Sequence, residues 1–170
     1  MPLIEIETYI ECDIQTCFDV ARDIDIHKES LKHTGEIAIA GKITGLIELG
    51  EWVSWEAKHF GFVQHLTSRI TEFESPNFFV DEMVFGAFKS FRHEHIFKVS
   101  NRGTLMTDKF YFESPLGILG NAANTLFLKR YMLKLLKTRN AVIKNKAEVL
   151  FAEKNNTSDK LVKTDKVLQL

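Results

Sequence analysis

Between Glu36 and Glu113 the chain repeats one pattern: runs of alternating apolar and polar residues, each closed by a short turn-forming group. The runs fall at about 36–40, 51–60, 62–74, 78–85, 90–100 and 103–113. Between them stand Gly41 with the stretch from Gly45 to Gly50, then Phe60-Gly61, Ser75-Pro76-Asn77, Gly86-Ala87 and Asn101-Arg102-Gly103. A period of two is that of a half-buried strand, and Gly, Pro and Asn supply the backbone angles of tight turns. Connections this short forbid a parallel return, which needs a crossover of roughly a dozen residues or more. The segment therefore predicts an antiparallel meander.

The flanks add helices on either side of it. Leu3 to Ile10 alternates as a further strand, with Ile4, Ile6, Thr8 and Ile10 on one face. Asp13 stands where an N-cap belongs, ahead of Cys17, Phe18, Val20 and Ala21 at helical spacing, which predicts a short helix over Asp13 to Arg22. A second covers about Ile24 to Leu31 and stops near Thr34-Gly35. After Ser114-Pro115 the period becomes helical, with a stripe through Leu119, Ala122, Leu126, Leu133, Leu136, Ile143, Ala147 and Leu150. The first half of this helix, Gly117 to Leu136, is apolar well beyond the stripe and is expected to be the more enclosed. From Asn155 the chain turns Lys/Asp/Thr-rich and reads as a mobile tail. The expectation is one α+β domain over 1–152, followed by a polar tail over 153–170.

With 170 residues, 45% of them hydrophobic, the chain can fill one core. Its net charge of -1 offers no basic patch for a phosphate backbone, so nucleic acid is not an expected partner. The start, Met1-Pro2-Leu3-Ile4-Glu5, lacks the charged and apolar regions of a signal peptide, and no apolar run is long enough to span a bilayer. A cytoplasmic monomer or homodimer is expected. Cys12 and Cys17 lack the spacing of a metal knuckle and read as reduced residues. Fourteen phenylalanines against three tyrosines and two tryptophans give much aromatic volume without polar handles, as suits a cavity wall or a dense core.

Polar residues on three strands say which face meets water. Over 90–98, Ser90, Arg92, Glu94 and Lys98 face out, turning Phe91, His93, His95 and Phe97 inward. Over 104–113, Lys109, Tyr111 and Glu113 must be wet, so Thr104, Met106, Asp108, Phe110 and Phe112 point in. Over 52–60 the same test sends Val53, Trp55, Ala57 and His59 inward and leaves Trp52 outside. A twisted, half-wet sheet crossed by one helix diverges from it at one end and leaves a pocket. The candidate ligand contacts are Trp55, His59, Phe91, His93, His95, Phe97, Met106, Asp108 and Phe110 from the sheet. Leu116, Leu119, Ala123 and Leu126 join them from the helix and its approach.

The inward imidazoles permit three chemistries. His93 and His95, at i and i+2, could ligate a metal with His59 or Asp108, but the pattern is short and shows no supporting shell. His93 or His95 with Asp108 could serve as a catalytic acid–base pair, yet no nucleophile, oxyanion donor or cofactor motif accompanies them. The reading adopted is that the imidazoles satisfy one another, Asp108 and backbone carbonyls, and orient the polar head of a ligand. No metal and no cofactor is expected. Asp81 and Glu82 sit on a strand whose pattern allows either phase and are taken as solvated rather than catalytic; Arg69 is taken as wet, with a pair to Asp108 or to a ligand carboxylate as its other options.

Three segments, "FKSFRHEHIF" at 88–97, "GTLMTDKFYFESPLGILG" at 103–120 and "FLKRYMLKLLKTRN" at 127–140, resemble the START-like superfamily, or SRPBCC. The likeness is to its polyketide cyclase/dehydrase and coenzyme-Q-binding-like bacterial members, and covers about 1–152 by order of elements. It implies a helix-grip fold: a curved antiparallel sheet of six to seven strands, two short helices and a long C-terminal helix enclosing a deep cavity. Lipids, quinones and polyketides are the ligands it implies, and Ser114 to Gly117 the lip of the cavity. No single catalytic set is shared across the superfamily, so a pocket is implied and a reaction is not. Binding or carriage of a hydrophobic small molecule is the expectation. A cyclase, dehydratase or hydrolase acting on a polyketide-like substrate is the alternative, and an interaction module using the outer face and tail is a third.

Overall fold

The computed structural model describes residues 2–114 and 121–167. In chain order these form β1 (Leu3–Ile10), α1 (Ile14–Ala21), α2 (Ile24–Ser30), a 3-10 turn (Lys32–Thr34), β2 (Ile37–Gly41), β3 (Trp52–His59), β4 (Phe62–Glu74), β5 (Phe78–Phe85), β6 (Ser90–Ser100), β7 (Gly103–Glu113) and α3 (Asn121–Val167). One antiparallel sheet takes the order β1-β7-β6-β5-β4-β3-β2. The meander runs from β2 to β7 as its turns require. β1 pairs with β7, Leu3 opposite Tyr111 and Ile10 opposite Thr104, so the first strand lies beside the last and β1 and β2 are the edges.

Local chemistry bends the sheet. Register shifts between Ala38 and Ala40, Thr67 and Ser68, and Ile70 and Glu72 put extra residues into one strand of a pair, which adds twist and curvature. The β3–β4 hairpin closes on Phe60 and Gly61 at φ 53° and 85°, the left-handed pair a two-residue turn needs. Gly41, at φ 77°, ends β2 against the backbone of Trp52, where a Cβ would collide.

The short helices begin where their caps say they should. Asp13 accepts from the Thr16 amide at 2.8 Å and its hydroxyl at 2.7 Å, and Asp23 accepts from the Asp25 and Ile26 amides at 2.8 and 3.3 Å. α1 lies on the sheet beside β6 and β7 and sends Phe18, which is wholly buried, into a cluster with Phe73, Phe79 and Phe97. The ring centroids are 5.3–5.6 Å from Phe18 and the pairs are edge-on, the preferred aromatic geometry. Cys12 and Cys17 are free thiols buried in the same cluster.

α3 departs from the expectation in two ways. Its enclosed part is the middle, where Leu135, Leu136, Ile143 and Ala147 are buried, while Leu126 and Phe127 nearer its start are 61% and 59% exposed. Among the described residues of its first half, Phe127, Leu128 and Met132 border the cavity, so the helix from Leu126 to Met132 is covered less, not more. The backbone also stays helical through 155–167, beyond the point where the helical stripe gives way to a polar segment. Its polar composition suggested otherwise, but no Gly or Pro occurs after Gly120 to stop a helix. Leu116 and Leu119 lie outside the described residues, as does the lip beyond Ser114.

Phe18 joins α1 to three strands, so Phe18→Ala should cost about 3–5 kcal/mol of stability. Denaturant unfolding would show this as a lowered midpoint at unchanged slope, and a loss under about 1 kcal/mol would contradict the packing described.

Candidate functional site

Between the open half of α3 and the inner face of the sheet lies a cavity of about 440 Å³. Trp55 and Ala57 of β3, Leu66 of β4, Phe91 and Phe110 of β6 and β7, and Leu128, Met132 and Leu136 of α3 supply most of its apolar wall. Phe60 of the β3–β4 turn, half exposed, meets Phe127 and Tyr131 of α3 at ring distances of 5.3 and 4.6 Å. His59 Nδ1 and the Tyr131 hydroxyl are hydrogen-bonded at 2.6 Å. Burial pushes the His59 ring down, and burial with the charge of Glu36 pushes the Tyr131 phenol up. A second polar point sits under α2, where His27 meets Glu36 at 2.7 Å and stacks on Trp55 at 4.5 Å.

The third polar point is the floor, and strand register assembles it. Asp81 is opposite His93 across β5 and β6, and His95 is opposite Asp108 across β6 and β7. His93 and His95 are two apart on one strand and share a face, with ring centroids 3.9 Å apart. Asp81 stands on their cavity side and Asp108 on their far side, where it is wholly buried. His93 Nε2 is 3.0 Å from Asp108 Oδ1, and His95 Nε2 is 3.0 Å from Asp81 Oδ1. His95 Nδ1 lies 2.8 Å from Asp108 Oδ1, but off the line a hydrogen bond needs, so it is buried beside a carboxylate with no well-directed partner.

From α3, Asn140 Nδ2 donates to Asp108 Oδ2 at 2.6 Å, and Arg139 Nη1 reaches Asp108 Oδ1 at 3.4 Å while its Nη2 donates to the Ala21 carbonyl at 3.0 Å. Burial alone would raise the Asp108 carboxyl. Its contacts with His93 and His95 and the charge of Arg139 outweigh that and hold it well below the usual range. Asp81 is lowered in the same way, burial being overcome by His95, His93 and Arg139. The His93 ring is pushed down to about 4, first by burial and then by His95.

Of the residues singled out in the sequence, Trp55, His59, Phe91, His93, His95 and Phe110 line the cavity. Phe97 and Met106 do not. They face each other across β6 and β7 and are buried in the cluster beneath α1, which divides the inner face of the sheet into a packed end and an open end. Asp108 sits behind the two histidines and reaches the cavity only through them. Leu126 turns outward, while its neighbours Phe127 and Leu128 face the cavity, because each helical step rotates a side chain by about 100°. Ala123 lies in the first turn of α3, among residues whose side chains are not described.

Asp81, taken as solvated, faces the cavity, while Glu82 faces out and meets Arg92 at 3.2 Å. Arg69 is exposed, and the arginine on Asp108 is Arg139. Arg139 and Asn140 escaped the sequence reading, although they interrupt the apolar stripe between Leu136 and Ile143 where an outward residue has no place. The metal set drawn from the sequence also changes. His59 is engaged with Tyr131, Asp108 lies on the far side, and the group that converges is Asp81, His93 and His95.

No protein-family model matches the sequence, and no curated protein does. Solved structures do match in shape. TTHA0849 of Thermus thermophilus superposes with a TM-score of 0.71 at 17% identity, over 88% of this chain and 99% of that one. The di-domain ARO/CYC StfQ of the steffimycin biosynthetic pathway gives 0.64 at 11%, over 91% of this chain and 51% of that one. Ara h 8.0201 gives 0.59 at 10%, over 84% and 97%. The chain therefore shares the helix-grip fold with these structures: a curved antiparallel sheet, two short helices and a long C-terminal helix. No helix among the described residues is long and apolar enough to cross a membrane.

The depressed His93 ring has a consequence for stability. A histidine in the unfolded chain takes its proton near pH 6.5, whereas the folded ring stays neutral to about 4. Between those values the unfolded chain binds a proton the folded chain does not. Stability should fall as pH drops through that window, by up to about 1.4 kcal/mol per pH unit. Urea unfolding at a series of pH values would show the slope, and His93→Gln should flatten it. An unchanged slope in that variant would assign the effect to another group.

Proposed function

We propose that this chain binds or carries a hydrophobic small molecule, of lipid, quinone or polyketide-like character, in the cavity between α3 and the sheet. The observation that carries this reading is a volume of about 440 Å³ with an apolar wall and imidazole and carboxylate groups gathered at its floor. That size and make-up suit a mostly apolar ligand with one polar end. Trp55, Phe91 and Phe110 would hold the apolar body and His93 and His95 the head. The shape shared with an ARO/CYC protein supports a polyketide-like ligand among the candidates. Function on this reading resides in 1–152, in the cytoplasm, and the segment 153–170 takes no part in ligand contact.

Native mass spectrometry of the protein purified from its source should show one retained apolar molecule per chain. Ala57→Trp, which puts an indole into the space beside Trp55, should weaken rebinding of that molecule at least tenfold. A cavity filled only by water, with no apolar compound retained or rebound, would defeat the reading.

The His93–Asp108 contact, 3.0 Å and buried, favours one alternative: a cyclase, dehydratase or hydrolase in which this pair moves a proton on the ligand. Under it, His93→Ala abolishes turnover of a polyketide-like substrate while affinity barely changes. Equal losses of both would leave plain binding as the function.

A further inference from the structure

Counting protons on the cavity floor exposes a deficit. Four nitrogens of two imidazoles face two carboxylates: His93 Nε2 and His95 Nδ1 toward Asp108 at 3.0 and 2.8 Å, His95 Nε2 and His93 Nδ1 toward Asp81 at 3.0 and 3.6 Å. Two neutral imidazoles own only two N–H groups, so two of these contacts set a nitrogen lone pair against a carboxylate oxygen. The orphaned His95 Nδ1 is where the mismatch shows. Charge tells the same story: among the described residues, Arg139 is the permanent cation that opposes Asp81 and Asp108 at this spot.

We propose that Asp81, His93 and His95 form a binding site for a divalent transition-metal ion on the cavity floor, with an open coordination position facing the cavity. The three donor atoms lie within 4.8 Å of one another, and the two measured separations from Asp81, 3.0 and 3.6 Å, bracket the spacing of ligands about 2.0–2.1 Å from one ion. With the ion bound, His93 Nδ1, His95 Nε2 and an Asp81 oxygen turn lone pairs toward it. Each histidine then carries its single proton on the outer nitrogen, facing Asp108. The orphaned Nδ1 becomes an N–H aimed at a carboxylate after a small ring rotation. Every nitrogen has a partner and no extra proton is required.

The supporting shell that the sequence did not reveal is present. A carboxylate behind a ligating imidazole fixes its tautomer and raises its basicity, and here one carboxylate serves both rings. Asp108 is itself held by Asn140 at 2.6 Å and Arg139 at 3.4 Å. Those donors, with its complete burial, exclude Asp108 as a ligand and leave the Asp81 side as the face an ion can reach. Two imidazoles and one carboxylate suit zinc, cobalt(II) or iron(II) over calcium or magnesium, which prefer all-oxygen shells. The open position would take an oxygen donor, so a carboxylate, phenolate or enolate head is the class of ligand it selects. The site stands whether or not an organic molecule occupies the cavity.

The test is titration of the full chain with Co(II) alone, followed by visible absorption and by X-ray absorption at the metal edge. One ion per chain, an intense band of a four- or five-coordinate ion and a shell containing two imidazoles are expected. Asp81→Asn and His95→Ala should each weaken binding at least 100-fold. Asp108→Asn, a positioning change, should weaken it about 10- to 100-fold. His33→Ala, on the exposed surface, should change nothing. If the cluster variants fail to fold, the spectra of the unaltered chain still decide, because a shell without two imidazoles overturns the proposal. Binding as tight in a folded Asp81→Asn as in the unaltered chain, or no binding beyond weak surface affinity, overturns it too. Retention of an apolar ligand by a chain that binds no metal would refute this site and leave the binding function intact.

Discussion

The carboxylate of Asp108 is the point at which the two layers of the molecule are tied together. It receives Asn140 and Arg139 from α3 on one side and the imidazoles of β6 on the other, and Asn140 also reaches Thr8 of β1 at 3.2 Å. A buried charge without partners would be costly to fold around, so the sheet, the helix and the Ala21 carbonyl at the end of α1 must meet here for the chain to be stable. That requirement fixes where α3 sits along the sheet, and with it the height of the roof over the cavity.

Division of labour across the inner face follows. Toward one end, α1 and its phenylalanines fill the space, and Phe97 and Met106 are core. Toward the other, α1 has ended, and α3 passes over the strands at a distance that Trp55, Phe91, Phe110 and Met132 do not close. The His–Asp cluster marks the boundary between packed and open ends. It serves the fold through Asp108 and faces the cavity through Asp81, which is why one group of side chains carries both a stability argument and a functional one.

The cavity is graded from end to end. Phe60, Phe127 and the His59–Tyr131 pair occupy the half-exposed region between the β3–β4 turn and α3, apolar walls follow, and the charged floor lies deepest. An amphiphilic molecule would gain most with its polar end innermost, since those groups are already oriented by hydrogen bonds and lose little freedom on contact. The charged end of this cavity is the floor, where two rings on one strand sit between two carboxylates.

Local sequence determined the elements. Alternation and turn residues placed β3 to β7 within a residue or two, Asp13 placed α1, and the wet residues of β6 and β7 said which way His93, His95 and Asp108 point, because period and turn chemistry are written in neighbouring residues. Only tertiary structure decided the rest. Asp81 was ambiguous until its register against His93 was fixed, and Arg139 and Asn140 lie 31 and 32 residues from the carboxylate they hold. Phe97 and Phe91 share a strand face and differ only in what lies above them. A side chain's facing follows from its own strand, whereas its becoming core, wall or ligand depends on where a distant helix comes to rest.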